Sequence, residues 1–122
     1  MTPADPSELF ALSRGLLSRT DPETAGLWPR ASALLARQAL EAALDRYWAA
    51  RGVPLDACPT LPQLVCLSRY LDDAELAGQV RHAWNALSDA CHHHAYELAP
   101  TVEELAALLD AVEGFVTMEA KP

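Results

Sequence analysis

A helix-start signal recurs along this chain, and it constrains the fold more than any other feature. Asp5-Pro6-Ser7-Glu8 sets an N-cap acid, a proline at the first helical position and a glutamate three residues after the cap. Thr20-Asp21-Pro22-Glu23, Thr60 to Gln63, Asp72 to Glu75 and Thr101 to Glu104 repeat that grammar. Apolar residues three and four apart follow these starts, and no segment alternates convincingly as a strand. The expected fold is all-α: one domain over residues 1–122, an antiparallel helical bundle of about five helices, four long or medium and one short.

The first helix carries Leu9, Phe10, Leu12, Leu16 and Leu17 and is expected to reach about Arg19. The second runs uninterrupted from Arg30 to Arg51 and stops at Gly52; near its start, either a turn precedes it or it bends at Pro29. Leu40, Leu44, Tyr47 and Trp48 form one stripe on it, while Trp28, Leu34 and Leu35 point elsewhere. A helix with several apolar faces is central in a bundle or buried against a partner chain. The proline-rich link VPLDACPTLP leads to a short third helix. The fourth has core positions Leu76, Val80, Trp84, Leu87, Cys91, Ala95 and Leu98, and the last has Val102, Leu105, Leu108, Leu109, Val112, Phe115 and Val116.

Composition narrows the function. The chain is 51% hydrophobic, rich in alanine and leucine and poor in glycine, which favours helix. No apolar run approaches the ~20 residues that cross a bilayer, so no membrane partner is expected. The start MTPADPSELF lacks the basic and hydrophobic regions of a signal peptide. Cys58, Cys66 and Cys91 follow no disulfide spacing and read as reduced thiols in a cytoplasm. The formal charge is −8, with one lysine, Lys121, and scattered arginines, which disfavours broad nucleic-acid binding. A local arginine site for one phosphate stays open, because bidentate guanidinium contacts act at short range.

Most chemistry can be set aside on sequence. The five glycines are isolated, so there is no phosphate-binding loop, and no cofactor is expected. Consecutive helical residues point about a hundred degrees apart, so His92, His93 and His94 cannot share one ion. Cys91 and His94 could share a face, but it is the core face; no metal is expected. The paired acids Asp72-Asp73 and Glu103-Glu104 sit at helix starts, where the macrodipole accounts for them.

One constellation remains. Arg81, Asn85, Ser88 and His92 fall on a single flank of the fourth helix. As chemistry, His92 would be the general acid/base on a ribose hydroxyl and Arg81 would stabilise a phosphorane-like charge, with Asn85 between them. Arg81 and His92 are ~16 Å apart in helical rise, too far to serve one phosphate within a chain. A two-fold dimer pairing this helix with its copy would bring Arg81 of one chain near His92 of the other. The plainer reading is a polar rim beside the core or a dimer interface.

With ARQALEAAL on the second helix, the proline-rich link, the short third helix and the ending LSDACHHHAYELAPTVEEL, the chain resembles the HEPN superfamily. These are small prokaryotic helical bundles often linked to RNA cleavage and phage defence. The resemblance covers nearly the whole chain and implies an HEPN-like bundle. Nuclease members carry an arginine and a histidine four to six residues apart on the penultimate helix. Here positions 86 to 88 are Ala, Leu and Ser, and no arginine precedes His92, His93 or His94 at that spacing. The catalytic pair is not carried over. The resemblance implies a non-catalytic homodimeric interaction domain, antitoxin-like, with a protein partner encoded nearby. Its alternative is a metal-independent endoribonuclease with a variant site across the dimer, which keeps RNA open as a ligand.

Overall fold

A computed structural model of the chain describes residues 5–18, 28–55, 57–92 and 100–120. They form five helices: α1 (Pro6–Leu17), α2 (Trp28–Arg51), α3 (Thr60–Tyr70), α4 (Ala74–Cys91) and α5 (Val102–Ala120). Among the described residues no strand forms. The bundle is all-α.

Several helix ends are set by local chemistry. The Asp5 carboxylate accepts from the Ser7 N–H at 2.9 Å, and Pro6 opens α1, where its missing donor is no loss. Thr101 Oγ1 accepts from the Glu104 N–H at 3.1 Å and starts α5. At the end of α2, Gly52 takes φ 69°. The Val53 N–H then reaches Trp48 O at 3.0 Å and the Gly52 N–H reaches Ala49 O at 3.2 Å, a Schellman closure that glycine accommodates best. Pro29 lies in the first turn of α2, so it opens the helix instead of bending it.

Helix directions follow from paired contacts. Asp5 lies 3.8 Å from Arg46, and Ser13 meets Ser32, so α1 and α2 are antiparallel. Arg30 meets Cys91 and Glu41 meets Trp84, which makes α4 antiparallel to α2. Leu76 packs beside Gly114, while Ala83 shares a groove with Ala107, so α5 reverses again. Thr60 sits at Glu41 and the Tyr70 ring lies 5.1 Å from Trp48. The proline-rich link therefore carries the chain back along α2, and α3 touches α2 at these two points while packing against α4.

α2 packs against α1, α4 and α5 and supplies much of the core. Ala33, Ala36, Ala39 and Ala43 are fully buried on it, small enough to let neighbouring backbones approach. Leu40, Leu44, Tyr47 and Trp48 are buried with them, as the stripe predicts. Tyr47 stacks edge-on to Trp48 at 5.0 Å and tilts against Phe115 at 5.8 Å. Tyr47 Oη and Trp48 Nε1 have no hydrogen-bond partner among the described residues, a penalty the packing must outweigh.

Five expectations need correction. On α1, Leu12 is 61% exposed and Ser13 takes the buried position, because Ser13 and Ser32 satisfy each other across α1 and α2. On α4, Leu76 and Trp84 lie only partly buried; Ala77, Val80, Ala83, Leu87, Ala90 and Cys91 form the buried face. Thr60 does not cap α3: its hydroxyl donates to Glu41, and Gln63 Nε2 instead donates to Cys58 O at 2.8 Å. The cap of α4 is Asp73, which accepts from the Leu76 N–H at 3.0 Å, one residue later than Asp72. On α5, Val102 is exposed and Leu108 half-buried, while Leu105, Leu109, Val112, Phe115 and Val116 are buried. The expected helical positions Ala95 and Leu98, and Arg19, lie outside the described residues.

Candidate functional site

The packing of α2 against α4 contains a polar seam where two hydrophobic faces would be expected to meet. Glu41 is its centre. Its Oε2 accepts from Trp84 Nε1 at 3.2 Å and from Thr60 Oγ1 at 3.2 Å, joining α2, α4 and α3 at one oxygen. Arg37 Nε lies 4.0 Å from the same oxygen, close enough for ionic attraction and too long for a hydrogen bond. Further along, Arg30 Nε donates to Cys91 O at 2.9 Å, where the last carbonyls of α4 lack helical partners.

Arg37 and Ser88 each lie one turn from the Glu41–Trp84 contact, on α2 and α4 respectively. Arg37 Nε and Ser88 Oγ are both buried, and neither has a hydrogen-bond partner among the described residues. Burial pushes the Cys91 thiol up; Arg37 and Arg30 pull it down by less, and Glu41 adds to the rise. A thiol held protonated in this way is not a nucleophile at neutral pH.

The four residues singled out on α4 occupy one flank, bordering this seam. Arg81, Asn85 and His92 are exposed and Ser88 is half-buried. His92 is the C-cap of α4, its N–H donating to Ser88 O and Asp89 O at 3.2 Å each. Arg81 and His92 remain eleven residues apart on one helix, ~16 Å of rise, so one chain does not bring them to a common point. His93 and His94 lie outside the described residues. Among the described residues, no three His, Cys, Asp or Glu side chains are grouped to hold a metal ion.

Arg37, Glu41 and Thr60 were the residues missed on sequence. Arg37 and Glu41 have the four-residue spacing of an ordinary surface ion pair. The available signal was their place in ARQALEAAL, a run otherwise dominated by buried alanine and leucine.

On the other edge of α4, a shallow groove of about 380 Å³ runs against α5, with Gln79, His82, Leu108 and Asp110 in its lining. Asp110 is already paired with Arg14 at 2.8 Å; the Asp110 side chain is largely open to water and that of Arg14 is 36% exposed. Such a pair contributes little. No described helix is long and apolar enough to cross a membrane.

Fold and seam together define a class: an all-α bundle whose central helix meets its neighbour through buried polar groups. No protein-family model, curated protein or solved structure matches the chain.

Proposed function

We propose that this chain is a non-catalytic interaction domain, an HEPN-like bundle acting as a homodimer. On this reading it serves as an antitoxin-like component of an RNA-linked defence or stress system, in the cytoplasm, beside a protein partner encoded nearby. The biological setting rests on the resemblance of ARQALEAAL and LSDACHHHAYELAPTVEEL to that superfamily. The lack of catalysis rests on one observation: Arg81 and His92 lie eleven residues and ~16 Å of helical rise apart, so these two groups do not meet within one chain. Glu41 does not repair this, because its Oε2 is engaged by Trp84 and Thr60.

An RNA-cleavage assay tests the proposal. Metal-free wild-type protein incubated with end-labelled RNA is expected to leave it intact. Degradation by wild type that is lost in a folded His92→Ala variant would contradict the proposal and favour a composite Arg81/His92 site across the dimer. In that case, mixing inactive His92→Ala and Arg81→Ala chains would restore one site per heterodimer.

A further inference from the structure

We infer that the groove between α4 and α5 receives a positively charged amphipathic helix of a partner protein, an inference that rests on the reading of this chain as an interaction domain. The groove is lined by small side chains, Ala83 of α4 and Ala107 and Ala111 of α5, together with the half-buried Leu108. It measures about 380 Å³ and lies open to solvent. A small molecule would keep much of its surface in water there, whereas small-molecule pockets bury most of their ligand. Two antiparallel helices with short side chains along their junction leave a trough that suits the ridge of a third helix.

Charge decides the kind of helix. α5 contains no lysine or arginine, and its Asp110 lines the groove. Helical spacing sets Glu103 one turn from Ala107 and Glu104 one turn from Leu108, and both acids are exposed. On the α4 side, Gln79 lines the groove and its Nε2 donates to Glu75 Oε1 at 3.3 Å, which holds that carboxylate at the rim. Asp89 lies two turns from His82 on the same face of α4 and is exposed. The cation that meets this rim is Arg14, paired with Asp110 at a partly exposed site where a partner's cation can take its place at little cost. An acidic rim around an apolar floor attracts and orients a helix with basic flanks. A second copy of the chain would set acids against acids here, so the dimer contact lies elsewhere. Nucleic acid is repelled for the same reason.

The test is amide NMR of the full chain titrated with a synthetic helical peptide of leucine, alanine and lysine, apolar along one face. The control is the same peptide with glutamate in place of lysine. The lysine peptide is expected to bind saturably, with amide shifts centred on residues 79–83 and 107–111 and an affinity that falls as salt is raised. The glutamate peptide is expected not to bind. Ala107→Lys sets a cation in the groove at an exposed position and should weaken binding about tenfold or more, by like-charge repulsion. Ala50→Lys makes the same charge change at an exposed position of α2 and should weaken it far less. Equal losses in the two variants, or shifts spread over the acidic surface without saturation, would overturn the inference and leave general electrostatic attraction. RNA cleavage by the wild type would overturn the non-catalytic reading without touching this result. Failure of the lysine peptide to bind a protein inert toward RNA would overturn the groove assignment alone.

Discussion

The Trp84 indole N–H donates to Glu41 Oε2 at 3.2 Å, joining α4 to α2 at the margin of the core. This bond gives Trp84 a polar role that its hydrophobic surface conceals. Trp84→Phe keeps most of the ring packing and removes the donor, so it should cost about 1–2 kcal/mol, as for loss of a hydrogen bond to a charged group. A double-mutant cycle with Glu41→Ala should show coupling of about 1 kcal/mol in chemical denaturation. Leu87→Ala, a fully buried truncation on the same helix, should cost more, about 3 kcal/mol. Additive effects of Trp84→Phe and Glu41→Ala would show that the bond does not stabilise the seam.

Ser13 and Ser32 form a reciprocal pair between α1 and α2. Ser13 Oγ donates to Ser32 O at 2.7 Å, and Ser32 Oγ donates to Ser13 O at 3.0 Å. Both residues are fully buried. Either single alanine substitution should cost about 1 kcal/mol, and the double substitution should cost less than the sum, because the Oγ–Oγ contact at 3.1 Å is lost with the first substitution alone. Ser13→Leu should cost more, by overpacking a closed interface. Denaturant midpoints of the four variants provide the check.

Alanine substitutions at glycine should have opposite signs in different places. Gly52 holds φ 69°, so Gly52→Ala should destabilise by about 1 kcal/mol although an added Cβ would touch nothing. Gly15 and Gly78 lie within α1 and α4, also with open space at the Cβ position. Gly15→Ala and Gly78→Ala should each stabilise by about 0.5–1 kcal/mol. Thermal melts of the three variants test the contrast.

Glu119 supplies a pH dependence. Burial raises its carboxyl above the ordinary value; Arg46 pulls it down by less, and Asp5 adds to the rise. The folded state therefore holds this proton more tightly than the unfolded chain. Stability from this group is complete below the unfolded value of 4.5 and is lost as pH rises through the higher folded value. Glu119→Gln should thus raise Tm at pH 7 and give little advantage at pH 3. An equal gain at both pH values would contradict the burial account.

The sequence showed most where structure is decided locally. The Asp5 and Thr101 caps bond to N–H groups within three residues, and Gly52 closes α2 through its own backbone freedom, so their signals survive folding. Thr60 offered the same cap signal, but its hydroxyl has a tertiary alternative at Glu41 and takes it. The expected α4 stripe holds at Val80, Leu87 and Cys91 and fails at Leu76 and Trp84 for a related reason. Leu76 and Trp84 are large apolar side chains, yet Ala77, Ala83 and Ala90 share the buried face with Val80 and Leu87. Small residues carry little hydrophobic signal while permitting close approach. The seam was hidden because Arg37 and Glu41 have a spacing that usually marks a solvated face; burial comes from α4, far away in sequence.

Dimerisation tests the central claim most directly. Leu34 is 39% exposed on α2 and Leu35 half-buried, apolar surface that a second copy would cover. Burying it would stabilise association at about 25 cal/mol per Å², before the entropy of association is subtracted. The side chain of Trp28, expected to join that surface, lies outside the described residues. Light scattering coupled to size-exclusion chromatography at micromolar concentration is expected to give twice the 13.2 kDa chain mass. Leu34→Arg should shift that population toward monomer. A wild-type mass of 13.2 kDa across the concentration range would contradict the dimeric interaction domain and remove the cross-chain site with it.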